Sequence, residues 1–174
     1  MAGGILFLHG ASSAGKTTLA AAIQAVAPRL MLRLSFDTFR DHGGLPWGRV
    51  QAGELDWQGS RAAVFDGVHR ASAGFARAGV EVIFEHILDE PRWEAELARL
   101  WDGLPVLRVG VMTPPEELAR REAARGDRAI GSALQDHATI HVGRRYDVEV
   151  NGQDDPAANA ASVLARWEAL LRGK

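Results

Sequence analysis

Short apolar runs alternate along the chain with longer segments whose apolar residues recur at helical spacing. Five runs have the length and composition of buried strands, and they lie at 4–9, 30–36, 80–84, 104–111 and 146–150. The segments between them predict helices over 15–27, 60–78, 91–101, 115–126 and 131–141, and a closing helix begins at 155. Strands that alternate with helices favour a parallel sheet with helices on both faces. The pattern therefore predicts a three-layer α/β fold with about five parallel strands.

Residues 38–60 interrupt this alternation because they follow neither period. They contain five glycines and one proline together with Trp47 and Trp57, which predicts an irregular segment with at most a helical turn. Long irregular stretches in a compact domain are commonly functional, and the two tryptophans argue against disorder. We interpret 38–60 as a substrate-facing loop. The alternative is a surface loop that the two indoles anchor by packing.

The stretch between the first strand and the first helix, GASSAGKTT at 10–18, matches the phosphate-loop pattern G-x-x-x-x-G-K-[ST]. Glycines let the backbone curl around a polyphosphate, and the helix N-terminus that follows favours an anion. Lys16 supplies charge for the β- and γ-phosphates, and the Thr17 hydroxyl is a ligand for Mg²⁺. The alternative, a turn that only joins two elements, leaves the fixed positions unexplained. The predicted nucleotide-binding residues are Gly10, Ala11, Ser12, Ser13, Ala14, Gly15, Lys16, Thr17 and Thr18.

Composition and charge narrow the function further. The chain has 174 residues, no cysteine and a formal net charge of −2. The lack of cysteine excludes disulfides, zinc–thiolate sites and thiol nucleophiles, and the charge provides no basic surface for nucleic acid or membranes. We find neither a signal peptide nor an apolar run long enough to span a membrane. We therefore expect a single domain over 1–174 with the P-loop NTPase fold, located in the cytoplasm, where ATP and Mg²⁺ are available, and no nucleic-acid or membrane partner.

Acidic residues follow two of the predicted strands, at the edge where parallel sheets bind their ligands. Asp37 follows the second strand and is a candidate general base, which would accept the proton of a substrate hydroxyl as that oxygen attacks the γ-phosphorus. The alternative is that Asp37 caps the next helix. Glu85 ends the third strand and is a candidate Mg²⁺ ligand with Thr17; its alternatives are acid–base chemistry or an ordinary edge carboxylate. Asp89 lies slightly further on, and His86 is a weaker candidate for substrate contact.

A basic segment follows at 120–131, where a helix end is joined to a glycine and several arginines. We interpret this segment as a lid whose Arg125 and Arg128 close over the transferring phosphoryl group. Cations placed there stabilise the charge of the transition state. The alternative is a solvated basic helix end that complements its own dipole, which is our expectation for Arg120.

Four stretches together resemble the chloramphenicol phosphotransferase-like family. They are the phosphate loop, Asp37 after the second strand, ARGDR at 124–128 and YDVEV at 146–150, in the same order along essentially the whole chain. The resemblance implies ATP-dependent phosphorylation of a hydroxyl on a small molecule, with Asp37 as the base and Arg125 or Arg128 near the phosphates. The namesake of the family carries paired aspartates after the third strand, where this chain has Glu85-His86. The 38–60 loop of this chain also differs from the corresponding loop of the namesake. The resemblance therefore implies the reaction and does not identify chloramphenicol or any other molecule as the acceptor.

Two other functions have some support in the sequence. The stretch DTFR at 37–40 is also similar to zeta-toxin-type kinases, which phosphorylate a nucleotide sugar. A regulatory GTPase or ATP-driven switch would use a D-x-x-G motif, which 41–44 and 56–59 both match, although glycine-rich chains contain such matches by chance. NGQD at 151–154 lacks the lysine of a guanine-reading N-K-x-D. An arginine lid favours a kinase that excludes water. The sequence therefore predicts a small-molecule O-phosphotransferase that uses MgATP.

Overall fold

A computed structural model describes residues 2–125 and 131–173, without the side chains of Arg125 and Ser132. Within these ranges the strands are β1 (Ile5–His9), β2 (Met31–Ser35), β3 (Glu81–His86), β4 (Val106–Met112) and β5 (Val148–Asn151). The helices are α1 (Lys16–Val26), α2 (Phe36–Asp41), α3 (Trp47–Gln51), α4 (Trp57–Arg77), α5 (Pro91–Leu100), α6 (Pro115–Arg125), α7 (Ser132–Thr139) and α8 (Pro156–Arg172).

The strands form one parallel sheet in the order β2-β3-β1-β4-β5. The central strand β1 is buried at all five of its positions and pairs with β3 on one side and β4 on the other. Because all strands are parallel, the phosphate loop after β1 and the residues at the ends of β2 and β3 meet at one edge. The prediction of a three-layer α/β fold with about five parallel strands is confirmed.

Successive residues of β1 point to opposite faces of the sheet and so enter two separate cores. Leu6 and Leu8 pack with α1, α6, α7 and α8, and Trp167 of α8 is fully buried in that layer. Ile5 and Phe7 pack with α4 and α5 on the opposite face. The phosphate loop is thus carried by a strand that is fixed by helices on both sides.

The prediction that 38–60 is irregular is wrong in part, because the segment contains short helices. The α2 helix begins at Phe36 since the Ser35 hydroxyl accepts the Thr38 backbone N–H at 3.1 Å, so Ser35 rather than Asp37 caps it. The α3 helix follows, and α4 begins earlier than predicted, where the Asp56 carboxylate accepts the Gly59 N–H at 3.0 Å. Side-chain caps thus compensate for weak helical periodicity.

The strand boundaries differ from the prediction by one or two residues, and two of these differences concern residues discussed below. The third strand continues through Glu85 to His86, because both residues pair in register with β1. The last strand begins at Val148 instead of Tyr146. The Tyr146 hydroxyl lies 2.8 Å from Nδ1 of His9 and 2.7 Å from Nδ1 of His141, so this residue connects the end of β1 to the segment after α7.

His9 is a fully buried histidine, which makes the fold sensitive to acid. Its Nε2 accepts the Leu88 backbone N–H at 3.2 Å, so Nδ1 carries the proton and donates to Tyr146. Burial, followed by the positive charges of Arg144 and Lys16, lowers the pKa of His9 to about 2. The ring therefore stays neutral in the folded protein under conditions in which it is charged in the unfolded chain.

We expect acidification to destabilise the protein, with His9 contributing about 2 kcal/mol of lost unfolding free energy between pH 7 and pH 5. The sign follows because only the unfolded chain takes up this proton as the pH falls below about 6.5. Urea denaturation at both pH values measures the loss. This loss of unfolding free energy should be smaller by about 2 kcal/mol in His9→Gln. It should stay unchanged in the control His42→Gln, because His42 is exposed. An equal acid sensitivity in wild type and His9→Gln would contradict the prediction.

Candidate active site

The backbone of the phosphate loop takes the conformations that its glycines were expected to allow. Gly15 has a φ of 102° immediately before α1, and the non-glycine Ser13 has a φ of 62°. Gly10 is needed for a different reason than polyphosphate contact. A Cβ at this position would lie 2.7 Å from the Val111 carbonyl oxygen, so a larger residue would push the loop away from β4.

Several polar groups of the loop face the position that a polyphosphate would take. The first amides of α1 have no carbonyl one turn earlier to accept them. The Ser13 hydroxyl is buried and has no hydrogen-bond partner among the described residues. Lys16 Nζ donates to the carbonyls of Gly10 and Ala11, both at 2.7 Å, and the Ser12 N–H donates to the Asp136 carboxylate at 3.1 Å. Donors of this number and kind fit an anion.

The two residues predicted to bind Mg²⁺ are in direct contact. The Thr17 hydroxyl donates to Oε2 of Glu85 at 2.8 Å, although the two residues are 68 positions apart. Oε1 of Glu85 accepts from Arg33 at 3.2 Å, and the glutamate side chain is almost fully buried. Mg²⁺ commonly takes one or two protein oxygens and fills its other positions with water and phosphate oxygens. The hydroxyl and carboxylate fit that pattern.

A cavity of about 690 Å³ opens above the loop, within the usual size range of ligand sites. One end is formed by the phosphate loop, α6 and the start of α8. The other end is formed by the carboxyl ends of β2 and β3 and the first residues of α2. The lining residues at that second end are Ser35, Phe36, Asp37, Arg40, Phe65, Glu85, His86, Ile87 and Asp89.

Asp37 lines this cavity from the first turn of α2. Its carboxylate lies 3.0 Å from the guanidinium of Arg40, which also contacts Asp41. The side chain of Asp37 is 40% exposed, so its carboxylate remains accessible while Arg40 is almost buried. The structure therefore places an oriented carboxylate on the same cavity as the phosphate loop and the Thr17–Glu85 pair.

Aromatic rings form the wall next to Asp37. Phe36 stacks on Phe65 with centroids 4.9 Å apart, and Trp57 packs on Phe36 at 5.2 Å. Trp47 packs edge-on against Trp57 at 5.1 Å. Neither tryptophan belongs to the described lining of the cavity, so both act by supporting Phe36. From 38–60, Arg40 is the residue that the described lining includes.

Arg121 lines the end of the cavity that is formed by the phosphate loop, α6 and the start of α8, and sequence reasoning missed it. Its guanidinium donates to the Gly152 carbonyl at 2.8 Å and approaches the Ser13 and Ala14 carbonyls at 3.4 Å, while Glu117 accepts its Nε. The arginine thereby joins α6, the phosphate loop and the β5–α8 connection. Only its spacing of four residues from Glu117 distinguishes it in the sequence.

The predicted lid over 120–131 is described only at its two ends. Arg128 lies outside the described residues, as does the side chain of Arg125, the last residue of α6. Arg120 lines the cavity and pairs with Glu117, and its side chain is 69% exposed. The buried Glu122 accepts backbone N–H groups of Gly131 and Ala133, at 2.6 and 2.9 Å, and so ties α6 to the start of α7.

Asp89, the third acidic candidate, also reaches the cavity but is held by a neighbour. Its carboxylate accepts from Arg61 at 2.7 Å, and Arg61 also pairs with Glu90. The Arg61 guanidinium lies about 5 Å from the ring centroids of Phe65 and Trp93. This packing makes Asp89 part of the support of the aromatic wall.

A phosphate loop after the central strand of a parallel sheet, with a threonine–glutamate pair and a carboxylate beside it, defines a nucleotide-binding phosphotransferase of the P-loop kinase class. The sequence of the chain matches the family described as chloramphenicol phosphotransferase-like protein over residues 3–168. The protein belongs to this family, and it is a phosphotransferase that acts on a small molecule.

Individual relatives agree with this assignment. A curated protein of Mycobacterium tuberculosis (strain H37Rv) named "Putative O-phosphotransferase Rv2636" is 29% identical over 183 residues, which cover 93% of this chain and 80% of the relative. The APS kinase CysC of Mycobacterium tuberculosis, solved with AMPPNP and APS, has a TM-score of 0.70 at 18% identity, covering 96% of this chain and 98% of the other. Shikimate kinase of Aquifex aeolicus has a TM-score of 0.59 at 14% identity, covering 98% and 99%. These structures are similar in fold.

A search of the described residues for a membrane-spanning helix finds none with the required length and hydropathy.

Proposed function

We propose that the protein transfers the γ-phosphoryl group of ATP to a hydroxyl of a small molecule, with Mg²⁺ as the cofactor. The observation that carries the proposal is the opening of the Thr17–Glu85 pair and the Asp37 carboxylate onto one cavity above the phosphate loop. Phosphoryl transfer requires a phosphate cradle, a metal site and a group that orients or deprotonates the attacking oxygen. The chain provides a candidate for each.

The nucleotide end of the cavity is assigned to ATP. The amides of residues 10–18 and the Lys16 ammonium would bind the β- and γ-phosphates, after Lys16 exchanges the Gly10 and Ala11 carbonyls for phosphate oxygens. Thr17 and Glu85 would hold Mg²⁺, which neutralises charge on the phosphates when it is bound. Arg121 would contact the nucleotide next to the Gly152 loop, to which its guanidinium donates.

The opposite end is assigned to the acceptor. Asp37 would accept the proton of the acceptor hydroxyl while that oxygen forms a bond to the γ-phosphorus. The bond from the γ-phosphorus to the β,γ-bridging oxygen breaks, and ADP leaves with the electron pair. The Phe36–Phe65 wall would exclude water and pack against the apolar part of the acceptor.

The segments 38–60 and 120–131 are assigned to acceptor selection and closure. Within 38–60, Arg40 orients Asp37, and Trp47 and Trp57 support Phe36. For 120–131 the support is its position: α6 brings Arg120 and Arg121 to the nucleotide end, and the segment continues from there. Arg125 and Arg128 would stabilise the transferring phosphoryl group, as cations do in phosphoryl transfer. A reaction that consumes ATP also suits a cytoplasmic location.

The test is ADP release by the purified protein with MgATP, measured alone and with a panel of hydroxylated acceptors that includes chloramphenicol and UDP-sugars. We expect ADP release to rise with one acceptor and to be matched by its phosphorylated product. A UDP-sugar product would assign the zeta-toxin-like alternative. Hydrolysis that no acceptor stimulates, or preferential binding of GTP, would contradict the proposal and favour an NTPase switch.

A further inference from the structure

Two histidines and a glutamate form a hydrogen-bonded chain that ends at the acceptor side of the cavity. Nδ1 of His69 lies 3.2 Å from Oε1 of Glu96, and Nε2 of His69 lies 3.0 Å from Nε2 of His86. His69 is fully buried in α4, and His86 is the last residue of β3 and lines the cavity. The phosphoryl-transfer roles assigned above use none of these three residues.

The direction of each hydrogen bond in this chain follows from the chemistry of its groups. In its ionised form Glu96 only accepts hydrogen bonds, and that form requires a proton on Nδ1 of His69. A neutral His69 then presents an unprotonated Nε2, and His86 must donate its own Nε2–H to it. Both rings are buried, which favours neutral forms. Nδ1 of His86 is therefore left as a hydrogen-bond acceptor.

The position of the His86 ring is fixed by its neighbours. It stacks on Phe65 with centroids 5.3 Å apart and packs against Trp93 at 4.8 Å. Among the described residues, the hydrogen bond of His86 uses Nε2 and leaves Nδ1 without a protein partner. His86 lines the cavity, which is where a partner for Nδ1 would bind.

We propose that Nδ1 of His86 accepts a hydrogen bond from the acceptor substrate, and that His69 and Glu96 are positioning residues that fix the tautomer of His86. The acceptor must then carry a hydrogen-bond donor, a hydroxyl or an amide N–H, beside an apolar part that packs on Phe65. This donor is additional to the hydroxyl that Asp37 contacts. The inference rests on the proposed function, because that proposal identifies the cavity as the acceptor site. The assignment of the tautomers does not depend on it.

The tautomers are tested without any activity, by nitrogen NMR of the full chain labelled with ¹⁵N-histidine. We expect His69 in the Nδ1–H form and His86 in the Nε2–H form, with assignments from the variants His69→Gln and His86→Asn. In Glu96→Gln the amide also donates, so the opposite tautomers should become populated. The reversed pair in the wild-type protein would overturn the proposal, even if the kinase activity is confirmed.

The substrate contact is tested with the acceptor that the panel identifies. The side-chain amide of Asn lies near the position of Nδ1 of a histidine, and that of Gln near the position of Nε2. We expect His86→Gln to raise the KM for the acceptor about tenfold, and His86→Asn to raise it about threefold or less. The KM for ATP should stay unchanged in both. The opposite ranking would show that the contact with His69 matters and the cavity contact does not, which would overturn the proposal.

Discussion

Asp37→Asn should lower kcat by roughly 10²–10⁴ while ATP binds with nearly unchanged affinity. The amide keeps the size of the side chain and a hydrogen bond to the acceptor hydroxyl, but it cannot take the proton. Asp37 lies in the first turn of α2, away from the phosphate loop in sequence, so its loss should leave the nucleotide site intact. Single-turnover transfer and the Kd for a non-hydrolysable ATP analogue separate the two effects.

Asp41→Asn is the matched control for Asp37→Asn. Asp41 contacts the same guanidinium of Arg40 and lies on the same short helix, but it is not in the described lining of the cavity. If Asp37 acts only by holding Arg40 in place, both variants should lose activity to a similar degree. A kcat of Asp37→Asn that equals that of the wild type would remove Asp37 from the mechanism.

The parts of the site that the sequence predicted are those set by local spacing or by the ends of strands. The phosphate loop is a local motif, so its residues and the helix after them follow from eight consecutive positions. Thr17 lies at the start of α1, after the phosphate loop that follows β1, and Glu85 lies near the end of the adjacent parallel strand β3, so the sheet brings them to the same edge. The phosphate-loop motif together with a strand prediction was therefore enough to pair them.

Other parts depend on packing between elements that no local pattern reports. The short helices α2 and α3, of six and five residues, are too short for helical periodicity to show, and the Ser35 cap and the edge-on packing of Trp47 against Trp57 define them instead. Arg121 is a site residue because its turn of α6 faces the Gly152 loop, where its guanidinium donates to the Gly152 carbonyl. Arg120 precedes it and pairs with Glu117 at the surface.

The histidine chain is the clearest case of a nonlocal feature. His69 lies in the middle of a helix, and the sequence gives no reason to connect it with His86, which ends a strand 17 positions later. The contact forms because α4 packs on the face of the sheet to which His86 points, between Phe65 and Trp93. Sequence reasoning could mark His86 as close to Glu85 but could not identify its partners.

Glu85→Gln should lower kcat by roughly 10²–10³ and raise the Mg²⁺ concentration needed for half-maximal activity. Replacing the carboxylate with an amide removes one negative charge from the buried pair with Thr17 while keeping the shape of the side chain. An amide oxygen is a weaker ligand for a hard cation than a carboxylate. Titration of initial rates with Mg²⁺ at saturating ATP measures both changes.

Two controls separate loss of the metal from damage to the fold. Arg33→Gln breaks the same ion pair from the other side, and Arg33 is not in the described lining of the cavity. Glu81→Gln removes a carboxylate at the other end of β3, where it contacts Arg29 and Trp167. We expect both controls to keep the Mg²⁺ dependence of the wild type. If Arg33→Gln reproduces the shift seen in Glu85→Gln, Glu85 acts through its ion pair and the metal must be held elsewhere.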